Sequence, residues 1–267
     1  MYYIGTSIIF NTEIAPLSSQ RPIGNDGEVY EMFRVESGCA LFLSDHLERF
    51  AGSIAAAHQS VPQSFAKLPS LVDWLIVCNS MPDGGVRLCL SANGLLQGGF
   101  VPTEIPTARM YAEGVHCELL SAMREQPNAK IYHAEMRTAA AMQQAEHQAF
   151  ESLLVDSDGN ITEGSRSNVL FIKNNELYSA PDSRILGGIM RKKLLEICSE
   201  LGICVHCVDI PAESIGDYEA AFISSTPARI LPIASIADKH YSVDNSLMLK
   251  LMYEMDIRVK QQIEKKH

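Results

Sequence analysis

The chain has 267 residues, of which 46% are hydrophobic and 20% charged, with a formal net charge of −10. That length can bury a sizeable core in one large domain or two ordinary ones. The acidic balance argues against nucleic acid or anionic membrane as the main partner, and no apolar run reaches the roughly 18 residues of a membrane span. Seven cysteines scattered among apolar segments read as reduced core thiols, so the expected compartment is the cytoplasm.

In chain order, the opening MYYIGTSIIFNTE lacks a basic start and a small-residue cleavage site, so it reads as a first strand rather than a signal peptide. Strands are expected at Tyr2–Phe10, Glu28–Val35, Leu41–Leu43 and Val86–Ser91. Helices are expected at Ser44–Ala57, capped by Ser44 or Asp45, and at Ser64–Ser80. The aperiodic, Pro-containing stretch from Val101 to Thr107 is the linker candidate. This divides the chain into an N-terminal domain (1–101), a linker (102–108) and a C-terminal domain (109–267). Strands at Glu118–Met123 and Ala129–His133 then lead into a helix over Glu135–Phe150. Two hairpin-like strand pairs follow, around the turns at 156–160 and 173–176. A helix runs from about Gly188 to Leu201, with Gly202 as its stop. Strands near 203–210, 219–225 and 229–233 precede a final helix, Ser246–Lys265. Strands in runs with helices between them imply a two-lobed α+β or mixed α/β fold.

Four segments depart from what folding alone requires. The stretch 161–172, ITEGSRSNVLFI, gives up apolar alternation for a run of small polar residues led by Glu163. Gly187 and Gly188 directly precede an amphipathic helix, whose free N–H groups and dipole suit a phosphate. Ser224-Ser225-Thr226 places three hydroxyls at a strand end. Lys130 lies in the short apolar segment Asn128–His133, where a lysine is costly unless it is paired, exposed at a strand end or covalently used. Cys204 and Cys207 form a C-x-x-C and His133-Ala134-Glu135 an H-x-E, a pair similar to a zinc deaminase site. Residues three apart on a strand point to opposite faces, and no proline or helix start accompanies these cysteines, so no metal is expected.

The combination T-E-G-S-x-S-N before a hydrophobic strand, then L-x-G-I before a helix, resembles the fold-type IV pyridoxal-phosphate enzymes, aminotransferase class IV. That family includes branched-chain aminotransferases, D-amino-acid aminotransferases and aminodeoxychorismate lyases. Val29-Tyr30-Glu31 and Asp45-His46-Leu47-Glu48-Arg49 look like its first-lobe segments, so the likeness covers nearly the whole chain. It implies a D-amino-acid aminotransferase-like fold of α/β (α+β) class, with a smaller N-terminal α/β domain and a larger C-terminal pseudo-barrel domain. It also implies pyridoxal 5′-phosphate as cofactor and a homodimer.

Position by position, the resemblance makes Lys130, which stands 33 residues before Glu163, the lysine that forms a Schiff base with the cofactor and moves the catalytic proton. Glu163 becomes the carboxylate facing the pyridine nitrogen, with Gly164, Ser165, Ser167 and Asn168 allowing close approach of the cofactor. Arg49, Gly188, Ile189, Met190, Ser225 and Thr226 would hold the phosphate, and Leu186 would pack against the ring. Tyr30 and Glu31 would shape the substrate pocket. The sequence departs from the family pattern at His133 and at Met190, where threonine is usual. It also lacks the strand-end arginine of the D-amino-acid enzymes and lyases, having Ser91-Ala92-Asn93-Gly94 there, so the carboxylate-binding group of those subfamilies is either missing or supplied elsewhere, with Arg34 and Arg87 as the candidates. The activity implied is amino transfer between an amino acid and a 2-oxo acid. Release of pyruvate and 4-aminobenzoate from aminodeoxychorismate is the first alternative, and a non-catalytic cofactor-binding protein the second.

Overall fold

Runs of Val, Ile, Leu and Phe near the N-terminus build a six-stranded sheet. In the computed structural model, which describes residues 1–266, β1 (Ile4–Phe10) and β2 (Glu13–Pro16) form a hairpin. β3 (Val29–Glu36) and β4 (Cys39–Ala40) form a second one. The strand expected at Leu41–Leu43 does not form. Instead Phe42 adopts the left-handed conformation, at φ 51°, and reverses the chain directly into α1 (Leu43–Ala56). Neither Ser44 nor Asp45 caps this helix; Asp45 lies in its first turn, facing the positive end of the dipole. The helix expected at Ser64–Ser80 divides into a 3-10 turn, Gln63–Lys67, and α2 (Leu68–Asn79), because Pro69 lacks an N–H and fits only a first turn.

β5 (Gly84–Leu90) and β6 (Leu96–Val101) complete the sheet, in the order β2-β1-β6-β5-β3-β4. β6 escaped the sequence reading because all six of its residues are buried and nothing alternates. Its glycines are steric: a Cβ on Gly98 would lie 2.4 Å from Leu88 Cδ2, and one on Gly99 would lie 2.7 Å from Tyr3 Cδ1. The segment Ala129–His133, expected as a strand, makes a single bridge, Ile131 to Val29. It is held by hydrogen bonds from Tyr30 N–H to Lys130 O and from Tyr132 N–H to Glu28 O. Met1–Glu104, Ala129–Ala134 and the chain from Val259 on together make one compact unit.

The second unit comprises Ile105–Asn128 and Glu135–Arg258. The Thr107 hydroxyl accepts the Met110 N–H and starts a helix not foreseen in the sequence, α3 (Ala108–Glu113). There follow β7 (Val115–Ser121), α4 (Ala134–His147), β8 (Glu151–Val155), β9 (Ile161–Gly164), β10 (Asn168–Lys173) and β11 (Glu176–Ser179). The chain continues with α5 (Ile189–Glu200), β12 (Val205–Cys207), β13 (Ala220–Ser225), β14 (Arg229–Ile236), β15 (Lys239–His240) and α6 (Ser246–Glu264). Gly202, at φ 67°, ends α5 as expected. The sheet runs β12-β11-β10-β13-β14-β7-β8-β9, with β15 beside β14. β7 and β8 pair in parallel through the α4 crossover, and β11 and β12 through α5. Among the described residues no helix is long and apolar enough to cross a membrane.

Adding a side chain at the centre of β6 tests this packing. Gly98→Val should lower the free energy of unfolding by about 1–3 kcal/mol, an ordinary overpacking cost, read as a lower urea midpoint with an unchanged slope.

Candidate active site

Glu163 stands in β9 with only 2% of its surface exposed, and its charge partner is Arg124, 6% exposed, in the loop after β7. Arg124 Nε donates to Glu163 Oε1 over 2.8 Å, and the Leu186 N–H donates to Oε2 over 3.2 Å. A buried carboxylate needs such partners, because an unpaired one would carry a large desolvation cost. Arg124 was not singled out in the sequence; a lone arginine in a loop has no periodic signature.

The small polar residues after Glu163 mostly serve a second buried carboxylate, Glu151. Ser165 Oγ and Ser167 Oγ donate to it at 2.7 and 2.9 Å. The N–H groups of Ser152 and Arg166 add bonds of 2.9 and 3.2 Å, and Gln144 Nε2 one of 3.3 Å. Ser167, expected to bind a cofactor, therefore has its hydroxyl turned to Glu151. Gly164 is glycine because a Cβ there would lie 2.2 Å from Ser167 Oγ.

Asn168 Nδ2 donates to Leu186 O over 2.9 Å, and a Cβ on Gly188 would meet Asn168 Oδ1 at 2.0 Å. Gly188 thus brings the start of α5 against Asn168, leaving Ile189 and Met190 at the head of a helix that no side chain caps. Ser224 lies across from Asn168 in the sheet register, and its buried hydroxyl has no hydrogen-bond partner. Ser225 ends β13, next to Thr226, and α5 packs against that strand. An uncapped helix start, an orphaned buried hydroxyl and a hydroxyl-bearing strand end fit an anion such as a phosphate.

In the first unit the Lys130 N–H donates to Ser53 Oγ over 3.0 Å, and Ser53 Oγ donates to Arg49 O over 2.9 Å, which ties the lysine to α1. Lys130 Nζ sits 4.9 Å from the Tyr30 ring centroid. The same ring has the Arg87 guanidinium carbon 4.1 Å from its centroid. Arg87 is 1% exposed; it pairs with Glu28 at 2.6 Å, and its Nε is buried without a partner. Glu31, expected at the substrate, is instead fully buried against α1. Arg49 Nε and Nη2 donate to it at 2.9 and 2.6 Å, and His46 Nδ1 lies 3.0 Å away. Burial pushes the Glu31 carboxyl up, but the Arg49 charge and the His46 contact outweigh it and hold the group well below the usual carboxylate range. Burial lowers His46, and the neighbouring Arg49 and Lys130 charges add to that against the pull of Glu31.

The sequence matches amino-transferase class IV over residues 28–236. The chain belongs to that family. It is 28% identical over 232 residues to the D-alanine aminotransferase of Bacillus licheniformis, with 78% of each chain covered. It is 24% identical over 250 residues to the aminodeoxychorismate lyase of Bacillus subtilis, covering 86% of this chain and 85% of the relative. The fold matches that of an Escherichia coli branched-chain amino acid aminotransferase with a TM-score of 0.83 at 19% identity, over 96% and 95% of the two chains. It also matches a T.th. branched-chain amino acid aminotransferase, solved with pyridoxamine 5′-phosphate, with a TM-score of 0.84 at 18% identity, over 98% and 95%. The fold is therefore that of the class IV, fold-type IV aminotransferases, mixed α/β with two sheets.

Two tests address the buried charges of this class IV protein. Arg124→Met strands Glu163 and should destabilise the protein by about 3–5 kcal/mol, whereas the double variant with Glu163→Gln should recover most of that loss; denaturant titration of the three proteins decides. Acid should also act through Glu31 and His46. Both folded values lie below the unfolded ones, so their stabilisation is complete at higher pH. The His46 share is lost as pH falls below its ordinary 6.5, and the Glu31 share below 4.5. A scan of Tm against pH should therefore slope downward on acidification, and His46→Asn should flatten the part between about pH 7 and pH 5.

Proposed function

We propose that the protein is a pyridoxal 5′-phosphate-dependent aminotransferase, exchanging an amino group between an amino acid and a 2-oxo acid. The observation that carries this reading is that the Tyr30 ring has both the Lys130 amine, 4.9 Å from its centroid, and the buried Arg87 guanidinium, 4.1 Å from it with an unused donor at Nε. An α-amino acid presents a carboxylate, which a guanidinium can take, and an amine, which can exchange with a lysine at an aldehyde. Both arginines expected for the substrate carboxylate pair with a glutamate, Arg34 with Glu36 at 3.1 Å and Arg87 with Glu28 at 2.6 Å, and the place of Arg87 on the Tyr30 ring makes it the better donor.

Lys130 would hold the cofactor's aldehyde carbon in the resting enzyme. The backbone of Ile189 and Met190 at Gly188, the hydroxyls of Ser225 and Thr226, and Arg49 would take the phosphate. Leu186 would pack on the ring, and Glu163 would face the pyridine nitrogen. When bound, pyridoxal phosphate supplies an aldehyde that takes up amines and a ring that accepts the electron pair of the broken bond. The Lys130 amine would be the group that moves the proton of the substrate α-carbon. Glu31, through its paired hydrogen bonds, would fix the direction of the Arg49 guanidinium rather than touch substrate. The setting proposed is a cytoplasmic homodimer acting on small molecules, without nucleic acid or membrane.

Borohydride reduction and peptide mapping of the purified protein should place a pyridoxyl label on Lys130, and Lys130→Ala should abolish it. A label on Lys173 or Lys192 would overturn the assignment. Addition of amino acids should convert the cofactor spectrum to the pyridoxamine form. Pyruvate release from aminodeoxychorismate without that conversion would identify a lyase instead.

A further inference from the structure

At the edge of the larger sheet, β11 and β12 run parallel in a register that sets Tyr178 beside His206, and the Leu177 N–H donates to Cys204 O over 3.0 Å. Side chains two apart on a strand share a face, so Glu176 and Tyr178 stand on the same face as Cys204 and His206. Glu176 Oε2 lies 2.8 Å from His206 Nε2, and Cys204 Sγ lies 3.4 Å from the same nitrogen. The three candidate ligand atoms all lie within 4.8 Å of one another. Cys207 takes the opposite face, where its sulfur accepts from Arg191 Nη2 at 3.7 Å. The C-x-x-C spacing is thus not the grouping the fold makes; the grouping is Cys-x-His with a glutamate from the next strand.

We propose that Glu176, Cys204 and His206 form a binding site for a single zinc-class divalent cation. In tetrahedral zinc geometry a thiolate and an imidazole nitrogen stand about 3.6 Å apart, and a carboxylate oxygen and an imidazole nitrogen about 3.3 Å. The observed sulfur–nitrogen separation nearly meets the first. The second requires the carboxylate to withdraw by about half an ångström, exchanging its hydrogen bond to His206 for a bond to the metal. Binding would release the Cys204 thiol proton to solvent, and the His206 ring would carry its proton on Nδ1 so that Nε2 is free for the metal. A thiolate–imidazole–carboxylate set selects zinc or a neighbouring transition ion over magnesium or calcium, which prefer oxygen alone.

The surroundings already orient these groups. The Tyr178 ring stacks on His206 with centroids 4.6 Å apart and an interplanar angle of 22°, and its hydroxyl donates to Glu176 Oε2 over 3.4 Å. Such outer partners hold metal ligands in place. Glu176 and His206 are half-buried and Cys204 is exposed, so the ion can enter from solvent and keep water in its fourth position. Bound there, it would cross-link a three-residue edge strand to its neighbour.

The test is calorimetric titration of the holoenzyme with zinc chloride, run in two buffers of different ionisation enthalpy. The wild-type protein should bind one equivalent with proton release. Cys204→Ser and His206→Asn should each weaken binding at least about tenfold, since loss of an outer partner alone costs that much, while Cys207→Ser should leave it unchanged. Retention of the wild-type stoichiometry and affinity by Cys204→Ser would overturn the proposal. So would loss of binding in Cys207→Ser, or wild-type protein that takes up no zinc. The exposed position of Cys204 makes Cys204→Ser safe for folding, and an unchanged zinc-free melting curve verifies that.

Discussion

Burying Glu163 imposes a requirement that organises the second unit around it. Its carboxylate reaches Arg124 from the loop after β7 and the Leu186 N–H from the turn before α5, so two segments far apart in sequence are fixed by a single side chain. Leu186 in turn presents its carbonyl to Asn168, whose amide oxygen can occupy its place only because residue 188 lacks a Cβ. The start of α5, the head of β10 and the end of β13 are therefore registered to Glu163 through one chain of polar contacts. A shift of any of them would leave a buried polar group unsatisfied, at a cost of about 1–3 kcal/mol.

The same logic appears in the first unit with different parts. Glu31 is buried between His46 and Arg49 on one face of α1, and the bidentate guanidinium gives it a direction as well as a charge. Ser53, one turn further along that helix, passes the alignment to the Lys130 backbone. Each unit thus braces a buried carboxylate with an arginine, Glu163 with Arg124 and Glu31 with Arg49, and such bracing limits the drift of a side chain.

How far this could be read from the sequence depended on the kind of signal. Lys130, Glu163 and the glycines before α5 were legible because their residue types contradict their apolar surroundings. Glu31 carried the motif, but its burial against Arg49 was not legible, since nothing in a linear pattern says that a glutamate on β3 will meet an arginine eighteen residues later. Arg124 and Glu151 left no trace: one lies in an irregular loop, and the other opens a strand like any solvated residue. Among the elements, β6 was lost because a strand covered on both faces does not alternate, and Phe42 because a left-handed turn at a bulky residue has no sequence signature. The cluster at Glu176 was hidden by the more familiar C-x-x-C that overlaps it.

The strand order of the larger sheet carries a consequence for how the chain is made. β7 pairs with β8 on one side, but its other neighbour is β14, through Ile233 and Val115. During synthesis from the N-terminus, β7 therefore emerges roughly a hundred residues before its second partner, a wait of about 5 to 20 seconds at about 5–20 residues per second. Throughout that interval an apolar strand carrying Val115 and Cys117 presents open backbone donors and acceptors to whatever is nearby, the situation that favours pairing between nascent chains. That edge of β7 is closed only when residues 229–236 pair with it.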